Sequence, residues 1–355
     1  NRLGFRINEH GLRRLFIRHS GHPVLKGLEE RHLADWRGEG TLLPPYLDYD
    51  QFFCPEWQWQ GFENTRIWRC RNRGVVANAL IEKPTVGNFT PIADGGFALQ
   101  YAPLMEYREG KGGILFCQAE VTGRSAADPA ADRLTVNLVD YLRSAAPAAP
   151  VRFAVLAGDS FRKHLAALRL TGETAAPAEA DVVVAGPGLD SYPDLTARVE
   201  AGAKLLAFGL DAARLHQLLP NLPDVKDVKA QPSQCADLSA PEFAGVSNLD
   251  TYFQTRLDYA TVGGKELTAL RIGKGVAVIA GVSPEMLDYE ALFRLRSSWR
   301  RRAFLLSQLL RNAGVASESV LLERFRSAPA ERPWLNSYYL QTPISGDDPY
   351  RYYHW

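Results

Sequence analysis

Little in this chain of 355 residues is in excess, and each shortage removes a class of function. Lysine and arginine total 41 against 40 aspartates and glutamates, a net charge of +1. No cationic surplus therefore draws it to nucleic acid or to an anionic membrane. No apolar run approaches the roughly 20 residues needed to span a bilayer. The four cysteines, Cys54, Cys70, Cys117 and Cys235, lack metal-ligand spacing, and Cys117 lies in an apolar strand, where a buried free thiol is expected. There is no Gly-x-x-x-x-Gly-Lys-Ser/Thr phosphate loop. Neither a metal nor a cofactor is expected. The start shows no charged segment followed by an apolar one, and Asn1 is not an initiator. The expectation is the C-terminal part of a longer protein.

What is present is a soluble globular composition, 46% hydrophobic and 23% charged, long enough for two domains. It is also a sequence written twice. Leu104 to Cys117 is echoed by Leu267 to Ala280: an apolar-edged strand, a Gly-Lys-Gly turn (Gly110–Gly112, Gly273–Gly275) and a second apolar strand. The turns read as tight and glycine-dependent, with the lysine in solvent. Each copy continues into a helix, ending Leu142-Arg-Ser-Ala145 and Leu310-Arg-Asn-Ala313.

The second unit, 151–315, is the more regular. Val151–Ala157, Asp181–Ala185 and Lys204–Phe208 are short, continuously apolar strands. Between them run helical patterns carrying Phe161, Leu165 and Leu168, then Leu195 and Val199, then Leu215, Leu218 and Leu219. Ser160 and Asp211 are expected as helix caps. This alternation predicts a parallel sheet covered on both faces, hence a doubly wound, flavodoxin-like domain. Acyl transfer on such a sheet needs a nucleophile on the elbow after a central strand. Leu206-Ala-Phe-Gly-Leu-Asp211 offers no Cys, Ser or Thr. The closing helix places Leu295, Trp299, Ala303, Leu306 and Leu310 on one stripe. Arg294, Arg296, Arg300, Arg301 and Arg302 crowd around it and read as a solvated or partner-facing side.

The first unit, 1–143, shares the ending but not the opening. Asp128-Pro129 should start its helix, with Leu134, Leu138, Tyr141 and Leu142 on one face. Its first β/α elements are expected upstream of Asn1. In their place, 36–100 forms a long irregular insertion rich in Trp, Pro, Gly and Tyr, with Arg66–Cys70 and Val75–Ile81 as paired strands. A linker, 144–150, separates the units, and an aromatic tail, 316–355, closes the chain.

Candidate chemistry is sparse. Asp94, Glu106 and Glu120 surround the expected ligand-binding edge of the first sheet, and a glycosidase needs two carboxylates roughly 5 to 9.5 Å apart. The plainer roles are a turn for Asp94, a solvated strand position for Glu106 and a helix cap for nearby Asp128. His22 is a loop histidine without an assignable partner. Trp57, Trp59 and Trp68 offer faces on which sugar rings stack, or else cover the insertion or dock on another domain.

Several stretches resemble the C-terminal portion of large bacterial proteins of the glycoside hydrolase family 2, β-galactosidase-like group. They are His22-Pro-Val-Leu-Lys-Gly-Leu28, Asp35-Trp-Arg-Gly38, Pro84–Phe97, Gly110-Lys-Gly112 with Phe116-Cys-Gln118, and Asp347-Asp-Pro-Tyr-Arg351. The resemblance implies two degenerate class I glutamine amidotransferase-like domains without catalytic residues of their own, in a parent whose catalytic carboxylates lie elsewhere. A similar module serves for oligomerisation in trimeric β-galactosidases. The implied partners are upstream catalytic domains of the parent or a partner chain, carbohydrate, and a second copy of the chain. A glycan-degrading parent would be periplasmic or extracellular. Two other readings remain open: a glycan hydrolase using paired carboxylates, and a protein-interaction module.

Overall fold

A computed structural model describes residues 5, 7–8, 11–39, 57–59, 62–64, 73–85, 87–96, 98–109, 111–144, 151–166, 168–171, 173–189, 194–232, 238–286 and 296–317. Over these residues the fold is α/β, with a four-stranded antiparallel sheet, a six-stranded largely parallel sheet and five two-stranded antiparallel pairs. No helix among them is long and apolar enough to cross a membrane.

In the first half the chain forms β1 (Phe16–Ile17), β2 (Phe89–Gly95), β3 (Tyr101–Glu109), β4 (Gly112–Cys117) and α1 (Pro129–Ser144). The four strands lie side by side in the order β4-β3-β2-β1, every pair antiparallel. One face packs Ile92, Leu104, Leu115 and Cys117 beneath Leu134 and Leu138 of α1. The other gathers Phe5, Phe89, Met105, Tyr107 and Phe116. Strand β2 is buried along its whole length, so the end of the expected insertion is a core strand. Val75–Ile81 is not one strand: Arg73–Gly74 pairs with Trp36–Glu39, whereas Leu80–Ile81 pairs with Ile7–Asn8. Ala79, at φ 50°, makes the break between them. Arg66–Cys70, the linker from 145 and the tail from 318 lie outside the described residues.

The second half runs β5 (Arg152–Leu156), α2 (Asp159–Ala166), β6 (Glu173–Thr174), β7 (Val182–Ala185), α3 (Leu195–Ala201), β8 (Lys204–Phe208) and α4 (Ala212–Leu218). A hairpin of β9 (Val225–Ala230) and β10 (Leu257–Val262) follows, then β11 (Leu267–Ile272), β12 (Gly275–Ala280) and α5 (Arg296–Ala313). The main sheet has the order β6-β5-β7-β8-β12-β11, parallel except for β11. Strand side chains alternate between its faces. Val182, Val184, Leu206 and Phe208 meet Phe161 of α2 and Leu306 and Leu310 of α5. Val183, Ala185, Leu205 and Ala207 meet Leu195 and Val199 of α3 and Leu215 of α4. Helices thus cover both faces. Asp211 caps α4 through Arg214 N at 2.7 Å; Ser160 falls inside α2 rather than before it.

The two echoed segments form matching local structure, although the sheets they belong to differ. Glu109 pairs with Gly112, and Ile272 with Gly275, so both Gly-Lys-Gly runs close hairpins. Gly273 has φ 58°, and a Cβ there would lie 2.6 Å from the Glu200 carbonyl oxygen, which requires glycine. A second echo lies elsewhere. Each half has a Pro-led 3-10 turn, Pro23–Leu25 and Pro241–Phe243. A left-handed glycine follows each, Gly27 (φ 76°) and Gly245 (φ 72°). Next comes a 3-10 turn with a capping box, Glu30–Leu33 and Asn248–Thr251. An asparagine from the closing helix clamps each first turn. Asn137 donates to the carbonyls of Val24 (3.0 Å) and Lys26 (2.8 Å), and Asn312 to those of Glu242 (2.9 Å) and Ala244 (2.8 Å). Asn312 therefore corresponds to Asn137, not to Ser144 as the helix endings suggest.

Candidate functional site

The densest chemistry sits where the two halves meet. Arg18 leaves β1 buried and reaches three partners. It donates to Asp94 of β2, and across the junction to Asp250 and to the Gly245 carbonyl at 2.6 Å. Lys83 adds a second cation on Asp94 at 2.8 Å. The Phe304 ring of α5 lies 4.8 Å from the Arg18 guanidinium and 5.4 Å from the Lys83 ammonium. Arg300 of α5 returns the contact, donating to Thr85 Oγ1 at 3.0 Å and to the Lys83 carbonyl. Burial disfavours the Lys83 ammonium and Arg18 repels it, bringing it down to about 8 despite Asp94. Burial also opposes the Arg18 charge, but Asp250 and Asp94 outweigh it and raise the group above its ordinary value.

A second cluster adjoins the first. His22 caps its 3-10 turn, its Nδ1 accepting from Val24 N at 3.3 Å, and turns Nε2 toward Glu106 of β3 at 3.8 Å. Tyr141 of α1 donates to Glu106, and Arg108 donates to both Tyr141 (2.7 Å) and Glu106 (3.0 Å). Burial alone would raise the Glu106 carboxyl; His22, Tyr141 and Arg108 reverse this and hold it near 2. Burial and the neighbouring His22 and Arg311 lower His19 to about 4. A carboxylate saturated by donors and a neutral imidazole do not form an acid poised near neutrality. Burial also raises the Cys117 thiol to about 11, which keeps it protonated and unreactive.

The three candidate carboxylates have separate environments. Asp94 is tied to Arg18 and Lys83, Glu106 to Tyr141 and Arg108, and Glu120 to Asn78 and Arg124. Asp94 is a buried strand residue rather than a turn, and Glu106 is buried rather than solvated. Glu106 stands opposite Thr90, four residues along β2 from Asp94, about 13 Å of extended strand. Asp128 caps α1, accepting from Ala130 N at 2.8 Å. Trp57 and Trp59 lie on a short strand paired with Phe62–Asn64; Trp68 lies outside the described residues. The arginine-rich helix departs most from its sequence reading, because Arg300 and Arg302 are buried, while Arg294 lies outside the described residues. Arg302 lies 3.5 Å above the Phe253 ring. Burial raises the enclosed Glu266 carboxyl nearby to about 7.

Among the described residues, the carboxyl edge of the parallel sheet is tightly packed at two points. Gly209, at φ 60°, occupies the elbow after β8. A Cβ there would lie 2.8 Å from Ser283 Cβ and from Met286 Cε, so the position has no room for a nucleophilic side chain. Between the ends of β5 and β7, Gly158 N donates to the Pro187 carbonyl at 2.8 Å. A Cβ on Gly188 would lie 2.9 Å from Gly158 Cα. The described residues contain no group of three His, Cys, Asp or Glu able to hold a metal ion. No family model matches the chain, and no curated protein matches it significantly.

Proposed function

We propose that this chain is a non-catalytic accessory and assembly region of a carbohydrate-active glycoside hydrolase, built from two amidotransferase-like units. One observation carries the non-catalytic part: the elbow is held by Gly209, and Ser283 and Met286 fill the space a nucleophile would need. Counted along the chain, the parallel strands follow the order 2-1-3-4-5, which is that of flavodoxin-like sheets and supports this reading of the second half. In such sheets ligands enter where the strand order reverses. Here that crevice is bridged by Gly158 and Pro187. The paired hairpins and asparagine-clamped turns support reading the first half as a related unit, although its described strands pair only antiparallel. The glycoside hydrolase context rests on the sequence resemblance alone.

The test is direct. The purified chain is incubated with a panel of aryl-glycosides and with glutamine. No release of aglycone or ammonia is expected. Turnover that disappears on substituting Asp94, Glu106 or Glu120 singly would establish a hydrolase instead.

A further inference from the structure

Among the described residues five large hydrophobic side chains are exposed, and three of them, Val136 (44%), Val139 (42%) and Leu142 (56%), lie on α1. The inward face of this helix is already satisfied, with Ala131, Leu134, Asn137 and Leu138 buried. Its outward face is not random. Asp132, Val136, Val139 and Arg143 follow one another at spacings of four, three and four residues, the spacing of a helix–helix seam. All four are exposed, and among the described residues neither Asp132 nor Arg143 makes an ion pair or side-chain hydrogen bond.

The seam reads acid, valine, valine, base, and is therefore complementary to itself when reversed. We propose that α1 pairs antiparallel with α1 of a second copy of this chain about a two-fold axis between Val136 and Val139. Val136 then meets Val139 of the second copy, and Asp132 meets Arg143 of the second copy, each contact occurring twice. Beside the seam, Arg133 faces Asp140 of the second copy, again opposite in sign. An isologous contact demands this relation, since one patch must complement its own image. A parallel arrangement would instead set Asp132 against Asp132 and Arg143 against Arg143. The charges therefore select the antiparallel form. The helix is 16 residues long, about 24 Å, so the contact is at the small end of specific interfaces. A dissociation constant on the order of 10 µM is expected. This deepens the assembly role proposed above and names its occupant.

Sedimentation velocity from about 1 to about 200 µM tests it, with circular dichroism checking that each variant stays folded. Wild type should pass from monomer to dimer. Val136→Glu with Val139→Glu should remain monomeric throughout. Asp132→Arg alone, or Arg143→Asp alone, should weaken the dimer roughly fivefold or more, and the combined exchange should restore it. A wild type that stays monomeric, or a dimer indifferent to the valine and charge variants, would overturn the proposal. Either result leaves the absence of turnover untouched, and turnover would leave the self-association untouched, so the two readings fail separately.

Discussion

At the scale of single residues, the cluster beside the junction depends on ionisation. Glu106 titrates near 2 instead of 4.5, and His19 near 4 instead of 6.5. Both folded-state values are depressed, so the unfolded chain binds more protons in each interval and stability rises with pH there. The His19 contribution is complete above 6.5 and lost as pH falls toward 4; that of Glu106 is complete above 4.5 and lost toward 2. Glu106→Gln should cost about 3 kcal/mol at neutral pH and well under about 1 kcal/mol near pH 2, where the folded wild-type carboxyl is already about half protonated. Denaturant unfolding at both pH values measures this. An equal cost at both would mean that the carboxylate charge is not what the cluster uses. His19→Gln should flatten the upper interval alone. None of this was legible beforehand: His22 looked partnerless because Glu106 and Tyr141 lie far along the chain.

Elements were far more readable than pairs. Val182–Ala185 and Lys204–Phe208 announce themselves because strands buried on both faces are continuously apolar. Glu173–Thr174 is too short to show a pattern, and β9, Val-Lys-Asp-Val-Lys-Ala, is a half-exposed strand whose charges hide it. The run of arginines in α5 misleads for a different reason. Charge density normally marks a solvated face, yet Arg300 finds Thr85 and Lys83 more than 200 positions away. The paired 3-10 turns were hidden too, since a proline and a glycine four positions apart carry little information until an asparagine is seen clamping both. Asn137→Ala and Asn312→Ala should each destabilise the protein by about 1–3 kcal/mol, because two carbonyls lose their donor in each case. Aspartate at either position, which only accepts when ionised, should cost more than alanine. Thermal melts of the four variants would show it, and wild-type stability in both alanine variants would reduce the clamps to incidental contacts.

For the whole molecule, what matters is whether two unlike sheets behave as one body. Their junction is held by charge rather than by a broad apolar face alone. Arg18 of the first half is inserted between Asp94 on its own side and Asp250 on the other, and α5 answers with Arg300. Removing one member of such a network leaves its partners buried and uncompensated, which typically costs 3–5 kcal/mol. Arg18→Ala would strand Asp250, which the Ser247 N–H at 2.8 Å only partly satisfies. Lys83 would still neutralise Asp94. The loss therefore falls chiefly on the contact between halves, not on either core. Wild type should unfold in one calorimetric transition, whereas Arg18→Ala should show two, with the first at lower temperature. Asp250→Ala in the Arg18→Ala background should add much less than it does alone, the signature of a shared interaction. A single transition in Arg18→Ala, displaced by no more than a surface substitution would displace it, would mean that packing around Phe304 joins the halves and the ion pairs merely accompany it.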